Sequence, residues 1–263
     1  MTRKIIGVII MVVLLIVGCF AGTMFYKQYA DAKSSATTFE ELQEQIKNTE
    51  ELPNSETEHP TTEESGNTPA EIEPTVFDKY RPLQEQNSDM VGWIFIEGTE
   101  INYPVMQTPD NPDYYLKHSF EKTWSDYGVP YVDEACTVGI SNNLVIYGHN
   151  MKNGSMFSGL VQYKNEEFFE THPIICFDTV DEPGQYRVIA AFRYNTNNET
   201  FKYNEHSDMD EAEFVEYVAN CKSRSIYDAG VTAEYGDILI TLSTCEYTYT
   251  NGRFVVVAKK IVE

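Results

Sequence analysis

Apolar residues fall into three textures along this chain. The first is an unbroken, uncharged run at residues 5–26, IIGVIIMVVLLIVGCFAGTMFY, which matches the roughly 20 apolar residues needed to cross a bilayer as a helix. It predicts a membrane-spanning segment. Arg3 and Lys4 precede the run. Positive charge stays on the cytoplasmic side, so residues 1–4 are expected inside the cell and everything after Tyr26 outside it. The second texture, residues 27–75, is rich in Glu, Thr, Ser, Asn and Pro, with few large apolar side chains. Such a segment buries too little surface to offset its chain entropy, which predicts a disordered acidic stalk. Within it FEELQEQIKN suits a short helix, whereas from Pro53 onward repeated Pro and like charges favour an extended tether.

The third texture, residues 76–263, alternates short apolar runs with turn residues. An amphipathic pattern predicts a helix over 76–87. Short β-type runs follow at 91–96, 101–106, 143–148, 174–180, 185–194, 237–244 and 253–262, rich in the β-branched and aromatic residues that suit a pleated surface. Helical spacing returns at 165–171 and at 210–222, where Phe214, Val218 and Cys221 share a stripe. No segment repeats. The pattern predicts a mainly β domain, a closed barrel or a sandwich with helices outside it.

Composition removes several function classes. Nineteen Lys+Arg against 41 Asp+Glu give a formal charge of −22, and a surface that negative repels phosphate backbones, so no nucleic-acid partner is expected. Cys19, Cys136, Cys176, Cys221 and Cys245 include no C-x-x-C pair and no Cys/His cluster at zinc-ligand spacing. No metal site or cofactor is expected, and no ordered oxygen-ligand spacing supports calcium. Cys136, Cys176 and Cys221 are expected to be buried and unpaired, although an extracellular location permits one disulfide among them. Ile16-Val17-Gly18-Cys19 follows the spacing of a lipoprotein signal, in which Cys19 is lipidated after cleavage. Apolar sequence continues to Tyr26, which favours an uncleaved anchor.

The last two β-type runs are joined by EYTYTNG, where Asn251-Gly252 is a strong hairpin signal. Such a hairpin brings Cys245, ending one strand, and Arg253, starting the next, to one rim although seven residues separate them. His149 follows NLVIYG and also ends a strand. A thiol with an ordinary pKa near ~8.5 holds little thiolate at neutral pH. A nearby imidazolium stabilises the thiolate and protonates a departing amine, and a guanidinium holds an oxyanion. These three groups suffice for acyl transfer through a thioester. Spacing alone leaves other readings open: a strand-end Cys is usually a small buried hydrophobe, Arg253 fits a rim ion pair, and His118, His172 and His206 compete with His149.

Thr241-Leu242-Ser243-Thr244-Cys245, followed by Arg253 and VVVAK, resembles the TLxTC…R segment of sortases, and Tyr147-Gly148-His149-Asn150 resembles their catalytic His segment. Sortases are membrane-anchored cysteine transpeptidases of Gram-positive bacteria. The likeness extends through VGWIFIEGTEINYPVMQ and DYYLKHSF, and the long stretch before DILITLST resembles the enlarged loop of class B members. It implies an eight-stranded sortase-type β-barrel with peripheral helices over residues 76–263. It implies Cys245 as nucleophile, His149 as acid and base, Arg253 as clamp for substrate and oxyanion, and Ser243, Thr244, Glu246 and Leu116 as groove residues. The partners it implies are surface proteins with an NPxTx-like carboxy-terminal sorting motif, cleaved after Thr, and an amine of the peptidoglycan precursor or a pilin Lys. An extracellular cysteine protease, with water as acceptor, is the reading from another reaction class. Some class B members carry an acidic residue two positions after the Cys, where this chain has Tyr247.

Overall fold

A computed structural model describes residues 2–51 and 76–262. The strands are β1 (Met90–Phe95), β2 (Asn102–Met106), β3 (Tyr131–Val132), β4 (Asn143–Tyr147), β5 (Ile174–Thr179), β6 (Gln185–Asn195), β7 (Leu239–Glu246) and β8 (Gly252–Lys260). Seven of them fall within two residues of the apolar runs. The exception is β3, whose two residues are too few to show a period.

The strands pair in the order β1-β2-β3-β4-β7-β8-β6-β5, and β1 meets β5 to close a barrel. Closure joins the two ends of the sheet, although β2 meets β3 at Met106 alone. Ile94, Val105, Val145, Phe177, Val188, Leu242 and Val256 are all fully buried in its core. Two pairings are parallel, β2 with β3 and β4 with β7. The second sets the carboxy-terminal ends of β4 and β7 side by side, with Tyr147 opposite Ser243.

Helices sit outside the barrel: α1 (Thr2–Glu51), α2 (Val76–Gln86), α3 (Glu166–Thr171) and α4 (Glu211–Arg224), with 3-10 turns at Tyr114–Leu116 and Phe157–Lys164. A reciprocal cap starts α4: the Asp210 carboxylate accepts from the Glu213 N–H while the Glu213 carboxylate accepts from the Asp210 N–H. Phe214, Tyr217, Val218 and Cys221 form its buried stripe.

The stalk expectation needs correction over residues 27–51. These continue α1 without a break, and Phe39, Leu42 and Ile46, at helical spacing, are buried against the domain. The Phe39 and Tyr103 rings meet edge-on at 4.9 Å, and Gln43 Nε2 donates to the Asn102 carbonyl at 2.9 Å. Three apolar residues among many polar ones make a narrow stripe, but one docking face is enough to hold a helix. The rest of the expected stalk, residues 52–75, lies outside the described residues. The amino-terminal part of α1 is long and apolar enough to cross a membrane.

Candidate active site

The hairpin of β7 and β8 sets Cys245 directly opposite Arg253, a relation in which Cα atoms lie roughly 4.5–5.5 Å apart. Asn251 supplies the left-handed turn residue with φ 62°. Gly252 is required beside it, because a Cβ there would stand 2.4 Å from the Glu246 carbonyl oxygen. The buried Glu246 carboxylate accepts from the Thr248 N–H at 3.0 Å and faces Arg193 Nε at 3.7 Å, bracing the turn.

Parallel pairing of β4 with β7 delivers His149 to the same place. Gly148 N donates to the Ser243 carbonyl at 3.1 Å and Thr244 Oγ1 to the Gly148 carbonyl at 2.7 Å. One residue past His149, Asn150 Nδ2 donates to the Cys245 carbonyl at 2.8 Å. The chain is therefore stitched to β7 on both sides of the histidine. Gly148 leaves room for the buried Phe157 ring, whose Cγ would lie 2.5 Å from an added Cβ, and Phe157 N donates to the His149 carbonyl at 2.8 Å.

The imidazole is oriented by main chain. His149 Nε2 lies 2.8 Å from the Leu116 carbonyl oxygen, and a carbonyl only accepts, so Nε2 carries the proton and Nδ1 has the free lone pair in the neutral ring. Burial holds the His149 pKa below its ordinary value. The Leu116 hydrogen bond opposes that shift, Lys117 adds to it and Asp126 opposes it.

Alternation places Thr241, Ser243 and Cys245 on one face of β7. Ser243 is 1% exposed and its hydroxyl meets Tyr203 Oη at 2.7 Å, while Thr244 is 2% exposed. Both side chains are thus held by internal bonds. Tyr203 lies within electrostatic reach of Arg253 and Cys245. Beside them is a cavity of about 480 Å³ whose lining includes Tyr147, Tyr194, Tyr203 and Arg253, with exposed Leu116 at its wall. Asp113, Asp133, Glu134 and Glu205 also line it, against Lys202 and Arg253. A larger cleft of about 590 Å³ between α1, α2 and β1, lined by Trp93 and Cys176, contains none of the three sequence-selected groups.

The competing side chains have other surroundings. His118 stacks on Tyr114 at 3.8 Å, His172 on Phe168 at 4.1 Å and His206 on Phe201 at 5.7 Å. Cys136 and Cys221 are buried and unpaired, and burial pushes each thiol up to about 12. Cys176 is also unpaired but only half-buried, so it is more accessible than expected. Cys245 is half-buried at the strand end. Among the described residues no group of three or more His, Cys, Asp or Glu is arranged to hold a metal ion.

Residues 94–261 match the Sortase domain family. The chain belongs to the sortase family. It is 36% identical over 191 residues to Sortase B of Listeria monocytogenes, spanning 72% of this chain and 76% of that protein. Its structure resembles a Staphylococcus aureus sortase B–substrate complex with TM-score 0.71 and 26% identity, covering 88% of this chain and 96% of the other. It resembles a Sortase B complexed with triglycine with TM-score 0.72 and 28% identity, covering 88% and 98%. These likenesses make it a class B sortase and a cysteine transpeptidase, with the closed eight-stranded barrel that the motifs implied.

Four groups around the site of this sortase carry little or no signal in the sequence: the Leu116 carbonyl, the Asn150 amide, Tyr203 and Gly128. Gly128 has φ 60°, and a Cβ on it would stand 2.4 Å from the Tyr115 oxygen and 2.8 Å from the Leu116 oxygen. Asn150 alone left a trace, as part of the Tyr147–Asn150 string.

Proposed function

We propose that Cys245, His149 and Arg253 carry out the transpeptidation. Cys245 Sγ attacks the carbonyl carbon of the Thr in a carboxy-terminal sorting signal, and its proton passes to His149. The tetrahedral oxyanion is held by Arg253. The Thr–X C–N bond breaks as His149 protonates the leaving amine, which leaves a thioester on Cys245. An amine of the peptidoglycan precursor then attacks the thioester, forming a new amide and releasing the thiol. The observation that carries this reading is the register of Cys245 opposite Arg253 with the His149 strand end stitched alongside.

Two of the similar structures support the substrate classes, since one is a complex with substrate and the other a complex with triglycine, a peptide bearing a free amine. The surface proteins would carry an NPxTx-like motif, and exposed Leu116 would contact it at the cavity wall. Buried Ser243, Thr244 and Glu246 would shape the groove from beneath by holding its frame. Four carboxylates along the cavity favour approach of a cationic amine over a neutral nucleophile. That lining fits a pilin Lys as well as a wall precursor.

In this reading α1 spans the cell membrane, residues 1–4 are cytoplasmic and the barrel is extracellular. The test is product analysis of the full chain with a sorting peptide, with and without triglycine. Ligated product formed at the expense of hydrolysis is expected, together with loss of all turnover in Cys245→Ala while the circular dichroism spectrum persists. Hydrolysis unchanged by added amine would make the enzyme a protease, and an active Cys245→Ala would end the mechanism.

A further inference from the structure

The barrel rim next to His149 and Cys245 meets α1 across a second cleft, of about 430 Å³. One wall is a single helical face, Phe25, Gln28, Tyr29 and Ala32, at spacing i, i+3, i+4, i+7. Phe25 and Tyr29 are 74% and 60% exposed there, an open aromatic surface. The other wall includes Tyr127, Met151 and Tyr247. It is the outer side of the segment that stitches His149 to β7: Asn150 donates to the Cys245 carbonyl, and Tyr247 Oη donates to the Asn150 carbonyl at 3.0 Å. The helix is pinned at this level by Asp31, whose carboxylate accepts from the Asp126 N–H at 2.8 Å.

The position of the cleft along α1 names its occupant. Phe25 belongs to the apolar run that ends at Tyr26, and the helix continues unbroken to Ala32 and beyond. At about 1.5 Å per residue, the six residues from Tyr26 to Ala32 cover roughly 9 Å. A cleft lined from Phe25 to Ala32 therefore straddles the boundary between hydrocarbon and water. Tyrosines concentrate at that boundary in membrane proteins, and cations there meet lipid phosphate. Lys152 lines the cleft, and Lys27 lies between Phe25 and Gln28 on α1. With a net charge of −22, general attraction to an anionic surface cannot bring the domain down, so apolar contact and these local cations must.

We propose that this cleft takes the hydrocarbon chain of a bilayer lipid, so that the rim bearing His149 and Cys245 rests on the membrane surface. The proposal depends on α1 spanning the bilayer, and the experiment separates the two.

The full chain is reconstituted in nanodiscs of phosphatidylcholine doped with a phosphatidylcholine whose acyl chain carries a diazirine, irradiated, and mapped by peptide mass spectrometry. Adducts are expected on peptides of the apolar run and also on those containing Tyr127, Met151 or Tyr247. Tyr29→Glu should lower labelling of the barrel peptides at least five-fold, keep labelling of the run, and leave turnover of a water-soluble sorting peptide unchanged. Adducts confined to the apolar run would overturn the proposal while sustaining anchorage. Equal barrel labelling in Tyr29→Glu would overturn the cleft as the site, and absence of adducts throughout would overturn anchorage and the proposal together.

Discussion

His149 Nε2 lies 2.8 Å from the main-chain carbonyl oxygen of Leu116. A neutral carbonyl fixes the tautomer and aims the ring, as an orienting carboxylate does elsewhere, but offers the charged imidazolium less stabilisation. Burial then prevails, and the ring is held neutral to lower pH than a free histidine.

The His149 titration should accordingly have its midpoint below the ordinary 6.5, read by NMR of the imidazole in the free enzyme. Lys117→Gln should raise the midpoint, and Asp126→Asn should lower it. For folding, this group contributes nothing above about 6.5, where both states are neutral. As pH falls through 6.5 the unfolded chain protonates first, so stability is lost until pH passes below the folded value. A midpoint above 6.5 would contradict the burial argument.

Gly128→Ala should disturb the site through Leu116. The added Cβ meets the Leu116 and Tyr115 oxygens at van der Waals-forbidden distance, and φ 60° is strained for alanine. A displacement near 1 Å in an orienting group costs on the order of 100-fold in rate. The expected result is a fall in kcat of roughly that size, a moved acid limb of the pH profile and a retained circular dichroism spectrum.

Arg253→Lys keeps the charge but loses the planar fork. Arg253 Nη1 donates to the Gly252 carbonyl at 3.0 Å, which fixes the guanidinium and leaves its other N–H groups for an oxyanion. Steady-state kinetics should show kcat reduced by about 100-fold or more. Wild-type kcat in the lysine variant would remove directed hydrogen bonding from the mechanism.

Tyr203→Phe removes the buried partner of Ser243. An unsatisfied buried hydroxyl costs about 1–3 kcal/mol, and in a domain of this size each kcal/mol lowers Tm by roughly 2–4 °C. Calorimetry should find a drop of several degrees. An unchanged Tm would mean that Ser243 finds another partner.

Leu42→Ala tests the docked part of α1. Leu42 is 3% exposed, and truncating a buried leucine costs about 2–5 kcal/mol. Denaturant unfolding should register that loss, whereas a residue in a free stalk would change stability by no more than about 0.5 kcal/mol.

The parts of this sortase that were legible in sequence are those whose signal is local. Asn251-Gly252 announces the hairpin that aligns Cys245 with Arg253, and the short continuous apolar run NLVIYG announces the strand that leads to His149. Other features carry no such signal. Two residues make β3 a partner for β4 but cannot display a period. Phe39, Leu42 and Ile46 form a stripe one residue wide, diluted by acidic neighbours, and only the presence of a docking face turns it into a buried contact. The Leu116 carbonyl is backbone, so side-chain identity never revealed it, and Gly128 acquires meaning only through the oxygen it lets approach.

The parallel ladder of β4 and β7 joins Leu144 to Ile240, 96 positions along the chain. Contacts of such long sequence separation form late, because loop closure must be completed before they contribute. Recovery of turnover during refolding is therefore a clock for barrel closure: helices and the final hairpin regain their spectra first, and the thiol and imidazole meet only when the two distant strands zip together.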